Sequence, residues 1–597
     1  MRSSFWLTAA LNVLTAYAAT TPSRTVKRQS SPFASAENGQ FSINGSEFRF
    51  VGTNAYWLPF LNSDEDISNT LANMSASGIT VVRTWAFNDV TSIPENGTWL
   101  QLIANGTTQV NEGPNGLQRL DKLIELAEQH NIYVLFSLTN NWNPTTTAAT
   151  FTRRNDNATT TPLPRNFLSN DYGGMDAYVR EFGVTKQHDE FYTNETIKDI
   201  FKNYTKQIVS RYASNSRVFS WELANDARCN SSIAASSSCN TNTVTSWHAD
   251  VSKFIRSVDP NHLVSSGNHG FLCPDCPKLF PVTPSARPSP APGQRRSVVG
   301  VMTKARLLRD IADKRRKARA AEPAEKREGV KIRGRWASGE TKRQSSVGTA
   351  FDGSQGVDSQ DILNIPDIGF GSFQLFPDQN SYTLGTAGDD NSQGQITTQN
   401  TFNQTVQEGV NWIQQQAASA QAVGKPLALT GFGLVTQDNA LQFVPFNSST
   451  PALGTAPSTR KRQQSTLGVG VTDSQRDSAY TAWLTAGIQA GVSGLLQYQW
   501  SSNGLATAPG TFVQGTTSGG TLGQSPNDGY ATLGQDQNNE QGIYDTGLLE
   551  KDLMWTADFV RTSSDTPHAR NVRTTALTLE ARALGGGRQR LNYFDWN

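Results

Sequence analysis

The chain is poor in histidine, with six in all, and has only four cysteines among 597 residues. So few imidazoles and thiols supply no His/Cys cluster of the kind a transition-metal centre needs, and neither metal nor cofactor is expected. Charged residues make up 17% and the net charge is +1, so no overall field draws the chain to nucleic acid. Outside the N-terminus no apolar run approaches the roughly 20 residues that a membrane span requires. The N-terminal run, Phe5–Leu14, is shorter than that and follows Arg2; with the small-x-small triplet Ala16-Tyr17-Ala18 it reads as a secretory signal over residues 1–18. Lys27-Arg28 then suggests a propeptide over 19–28, with a mature chain from Gln29 that is secreted and extracellular.

Secretion gives the cysteines a meaning. Cys229, Cys239, Cys273 and Cys276 allow three pairings, and 229–239 with 273–276 is the expected one. Asn-x-Ser/Thr sequons stand at Asn44, Asn73, Asn96, Asn105, Asn157, Asn194, Asn203, Asn230, Asn403 and Asn447, which fits a glycoprotein.

Short β-rich runs alternate with helical patterns. The strands are expected near 48–54, 79–85, 132–138, 218–224, 262–267, 368–375, 426–430 and 493–498. Between them, Leu117, Leu120, Ile124 and Ala127 share one helical face, as do Trp247, Val251, Phe254 and Val258. Eight strands alternating with helices predict an α/β fold, a (β/α)8 TIM barrel with long loop insertions, whose site lies at the C-terminal strand ends. The barrel is placed at 29–565. It is interrupted by a basic, low-complexity stretch at 279–343, and residues 566–597 are read as an unstructured tail. Between Arg287 and Arg343, 18 Lys/Arg face 6 Asp/Glu. That stretch is read as a solvated loop or translated non-coding sequence, with a basic helix near 306–321, and not as a nucleic-acid arm.

Motifs at the expected strand ends carry the chemistry. They are Val51-Gly52-Thr53-Asn54-Ala55-Tyr56-Trp57, Val82-Arg83-Thr84-Trp85, Asn140-Asn141-Trp142, Asp171-Tyr172-Gly173-Gly174-Met175, the segment from Trp221 to Cys229, Phe373-Gln374-Leu375-Phe376-Pro377-Asp378, and Phe432-Gly433. In this order they resemble the fungal endo-β-1,4-mannanases of glycoside hydrolase family 5 (mannan endo-1,4-beta-mannosidases). The resemblance implies retaining hydrolysis of a β-1,4-mannan, in which one carboxylic acid protonates the leaving oxygen and a second carboxylate about 5 Å away attacks the sugar.

Transferred residue by residue, the resemblance makes Asp226 the acid/base position, where the family has Glu. Asn225 becomes the partner of the sugar 2-hydroxyl, and Arg83 the cation beside the nucleophile. The nucleophile position falls on Gly431. Gln374 and Phe376 stand for the family's His and Tyr, and Tyr498 for its sugar-stacking Trp. Trp57, Trp85, Trp142 and Trp500 are expected to line a sugar cleft, Glu222 to be a structural buried acid, and His269 to be a packed or partly exposed side chain and not a metal ligand. Asp378 and Asp438 are candidate bases for direct attack by water.

Two functions follow. One is a secreted hydrolase using Asp226 as acid/base. The other is a catalytically degenerate barrel that binds mannan, glucomannan or a related β-glycan. A polysaccharide partner and a monomeric chain are expected in either case, with no nucleic acid and no membrane.

Overall fold

The computed structural model describes residues 31–144, 168–282, 303–321, 330–332, 335–337, 347–383, 399–448, 470–508, 511, 513 and 522–531. The signal, propeptide and C-terminal tail read from the sequence lie outside these residues, as do Asn157 and most of the basic stretch.

Eight parallel strands form the central sheet: β1 Phe50–Asn54, β2 Val81–Trp85, β3 Tyr133–Ser137, β4 Val218–Glu222, β5 Leu263–Ser265, β6 Gly371–Leu375, β7 Leu427–Phe432 and β8 Gly494–Gln497. Neighbours pair in chain order from β1 to β5 and from β6 to β8, and β8 pairs with β1. Between β5 and β6 the only β-bridge is Ser265 to Phe370, which brings the sheet round into a barrel. β1, β2, β4, β6 and β7 are buried along their whole length. Both faces of a parallel strand are covered, so its sequence is a near-continuous apolar run without alternation. This is why the strands stand out from the sequence.

Helices cover the outside: α1 Asp64–Ala76, α2 Leu117–Gln129, α3 Glu195–Tyr212, α4 Thr241–Val258, α5 Ser359–Leu363, α6 Gln399–Val423 and α7 Asp473–Ala490. Local signals fix their starts. Ser63 accepts the Asp66 N–H at the head of α1, Asn240 accepts two N–H groups of α4, and Thr472 with Gln475 forms a capping box on α7. On α2 the predicted apolar face is the buried one, with Leu117, Leu120, Ile124 and Ala127 all in the core. On α4, Trp247 and Val251 are buried, while Phe254 and Val258 pack at the core's edge.

The N-terminal end of the barrel is stoppered by aromatic rings. Phe41, from a small antiparallel sheet spanning 35–48, packs 5.2 Å from Phe219 and 5.0 Å from Phe370. Rings at these separations fill the barrel mouth, and chemistry is confined to the opposite end. Both expected disulfides are present, Cys229–Cys239 and Cys273–Cys276. Within the basic stretch, Lys304–Ala321 is a helix whose Leu307 and Ile311 are buried against the core, with Lys304 2.6 Å from Asp275. No helix among the described residues is long and apolar enough to cross a membrane.

Candidate active site

Asp226 has a left-handed backbone, at φ +61°. The chain turns there as it leaves β4, and Arg228 folds back onto Asp226. Arg228 Nη2 donates to Asp226 Oδ2 at 2.5 Å and Nε to Oδ1 at 3.1 Å. Trp142 Nε1 donates to Oδ2 at 2.9 Å, and His269 Nδ1 lies 3.1 Å from Oδ1. The carboxyl is 2% exposed. Burial works to raise its pKa, but the Arg228 guanidinium and His269 outweigh burial and hold it down at about 2. Arg228 in turn lies over the rings of Trp142 and Phe271.

This is a charged carboxylate in a closed ion pair. A general acid must carry its proton at the working pH, which glycosidases arrange by raising the pKa. At Asp226 the environment acts in the opposite sense. His269 is also pushed down, by burial first and against the pull of Asp226. Its Nε2 faces the Asn380 amide at 3.0 Å. The ring is buried and packed into the site.

Arg83, on β2, is wholly engaged. It meets Glu222 through Nε at 3.0 and 3.2 Å and through Nη2 at 2.5 Å, donates to Asn54 Oδ1 at 2.9 Å, and donates to Asn225 Oδ1 at 2.8 Å. Glu222 is fully buried and, as expected, serves the structure. Asn225 is held on three sides, accepting from Arg83 and from Gln374 Nε2 at 3.1 Å and donating to Asn140 Oδ1 at 2.9 Å. A primary amide has two N–H donors. Its second one meets no acceptor among the described residues, and Asn225 is half-buried.

At Gly431, on β7, a β-carbon would stand 3.2 Å from Phe376 Cζ and 3.9 Å from Asn54 Nδ2. Position 431, where the resemblance puts a nucleophile, thus faces an aromatic edge. Tyr498, at the end of β8, is half-buried and packs edge-on to Phe376 at 5.5 Å. Its hydroxyl donates to Asp528 Oδ2 at 2.7 Å, and Tyr56 donates to Oδ1 at the same distance. Burial drives the Asp528 pKa up against these bonds. Burial also lifts Asp378 to about 7, while its Oδ2 accepts the Val435 N–H at 3.1 Å. Asp438 lies exposed on a turn.

Several sequence expectations need correction. Trp57, Trp85 and Trp500 are 0%, 2% and 6% exposed and belong to the core, so they do not line a cleft. A short 3-10 turn, Leu58–Phe60, with Pro59 as its second residue, follows Trp57 directly. Trp142 is at the site, but its N–H is committed to Asp226 and its face is covered. Sequence reading missed Arg228, Phe446, Asp528 and Tyr530. Only Arg228, two residues beyond Asp226, left a signal, and it lay in the motif already singled out.

Residues 31–281 match the family described as GH family 5 beta-mannosidase-like. That match covers less than half of the chain. The chain is 39% identical over 255 residues to mannan endo-1,4-beta-mannosidase F of Aspergillus fumigatus, an overlap of 42% of this chain and 50% of that protein. It is 38% identical over 253 residues to mannan endo-1,4-beta-mannosidase A of Aspergillus aculeatus, covering 42% and 58% respectively. The chain spans about half the length of the curated relatives it matches. The crystal structure of the endo-1,4-beta-mannanase from Rhizomucor miehei superposes with a TM-score of 0.52 at 24% identity, over 88% of this chain and 99% of that one. That likeness shows the fold alone, a (β/α)8 barrel.

Proposed function

We propose that this protein is a secreted, glycosylated binder of β-1,4-mannan-type polysaccharide that does not cleave it by double displacement. One observation carries the reading: Asp226 is held ionised at about 2 by Arg228, opposite a Gly431 that has no carboxylate. Retaining hydrolysis needs a protonated acid and an ionised nucleophile together. Here the first position is charged and the second is empty of chemistry. Losing one member of such a unit costs on the order of 10⁴–10⁶ in rate.

Three features support binding to a glycan: kinship to mannan endo-1,4-beta-mannosidases, the Asn225 amide held with a donor to spare, and Tyr498 half-open at the end of β8. Neither raised carboxyl supports catalysis. Asp378 is bonded to the Val435 backbone and Asp528 is shared by two phenols.

Secretion and glycosylation rest on residues 1–28 and on the sequons. Asn44, Asn73, Asn96, Asn105, Asn203, Asn230, Asn403 and Asn447 are exposed, where an oligosaccharyl group would meet no obstruction.

The test uses the full chain on mannan, glucomannan and cellulose, with reducing ends and bound fraction measured in parallel. Binding to mannan without release of ends is the expected result. Release of ends that Asp226→Ala abolishes would overturn the proposal.

A further inference from the structure

In a retaining glycosidase the reacting sugar sits between two carboxyl groups about 5 Å apart. In this barrel that gap runs from Asp226 to residue 431, and a side chain of the protein stands in it. Phe446 belongs to the segment that follows β7. Its ring lies nearly parallel to Trp142, 6.3 Å between centroids at 20°. It meets His269 at 5.4 Å and Phe376 at 5.8 Å, both close to perpendicular. Trp142 and His269 are the two aromatic partners of the Asp226 carboxylate. Phe376 is the ring whose tip faces Gly431. One phenyl group therefore touches the walls of both catalytic positions.

The backbone holds it there. The Phe446 N–H donates to Gln379 Oε1 at 2.7 Å, and its carbonyl accepts from Asn170 Nδ2. Gln379 is itself fixed by Tyr530, with Nε2 to the hydroxyl at 3.0 Å. Beneath the ring, Trp142 is 3% exposed and Asp226 2% exposed. A pyranose and a phenyl ring are of similar size, and both stack on indole. Only one of them fits against Trp142 at a time.

We infer that Phe446 occupies the central sugar position of this cleft, so that a β-mannan chain running the length of the cleft must first displace it. The inference rests on the glycan-binding reading above. It makes Phe446 the residue that sets affinity for long oligosaccharides.

The experiment compares the full chain with Phe446→Ala and Gln379→Ala. The second variant loosens the Phe446 backbone and leaves the ring intact. Titration with mannohexaose is expected to give at least tenfold tighter binding for Phe446→Ala and a smaller gain for Gln379→Ala. Where the parent binds, equal or weaker binding by Phe446→Ala overturns the inference. A readout without sugar separates the two proposals: acrylamide quenching of the Trp142 signal, taken as the difference between chains with and without Trp142→Phe. That signal is expected to be shielded in the parent and several-fold more accessible in Phe446→Ala. Equal quenching overturns the inference even where mannan binds. Exposure of Trp142 with no mannan binding by any chain would instead sink the binding reading and leave Phe446 in its assigned place.

Discussion

The tip of the Phe376 ring stands 3.2 Å from where a β-carbon on residue 431 would lie. A carboxylate built at 431 would enter a space bounded by that ring and, one layer further out, by Phe446. We therefore expect Asp226→Glu with Gly431→Glu to fold but to release no reducing ends from mannan. Adding Phe446→Ala should produce measurable release. Activity in the double variant alone would show that Phe446 does not obstruct the reacting position.

Arg228→Ala would leave the buried Asp226 charge without its cation. Breaking a buried pair from one side costs about 3–5 kcal/mol, so the variant should unfold at clearly lower denaturant at pH 7. The pH dependence follows from the depressed pKa. Asp226 titrates at about 2 when folded, below the ordinary value of about 4. Its stabilisation is present above about pH 4 and is lost as pH falls through about 2. Denaturant midpoints between pH 2 and 7 should show this loss in the parent and a flatter profile in the variant.

Arg83→Met should destabilise by a similar amount, about 3–5 kcal/mol, because Glu222 would remain fully buried and unpaired. Combining it with Glu222→Gln should restore much of the stability, since the stranded charge is then gone. A double variant no more stable than Arg83→Met would show that the loss came from Asn54 and Asn225 instead.

Asp378 works in the opposite direction. Burial lifts its folded pKa to about 7, above the ordinary value of about 4. Its contribution is complete below about pH 4 and is lost as pH rises through about 7. Asp378→Asn should remove that fall, so parent and variant would diverge between pH 4 and 7 in thermal melts. Parallel curves would place the titration elsewhere.

Much of the barrel is readable because parallel strands covered on both faces leave short apolar runs, such as Val134-Leu135-Phe136 in β3. The site is less readable, for physical reasons that differ by residue. Residues two apart on a strand point to the same face, but Arg228 meets Asp226 only because the backbone turns left-handed between them, and that turn has no sequence period. Trp57 looked like a cleft residue from its place at a strand end, yet its ring is buried in the core, which that place alone does not tell. Phe446 arrives on a long loop without periodicity, 15 positions beyond Gly431 in sequence and in contact with the ring that faces it. That position 431 carries no carboxylate was legible, because the identity of a residue needs no geometry.

The junction of β5 and β6 has a consequence for how the molecule breathes. Elsewhere neighbouring strands share two or more ladder pairs. Here a single bridge is supplemented by the Gly369 N–H to Val264 O at 2.7 Å and by the Ser372 hydroxyl, which accepts the Gly267 N–H at 2.8 Å. β5 ends at Ser265 and β6 begins at Gly371, so the two strands lie far apart in sequence. Native-state amide exchange is governed by such local openings. The cylinder is in effect a curled sheet with a fastening, and Ser372 is part of the clasp.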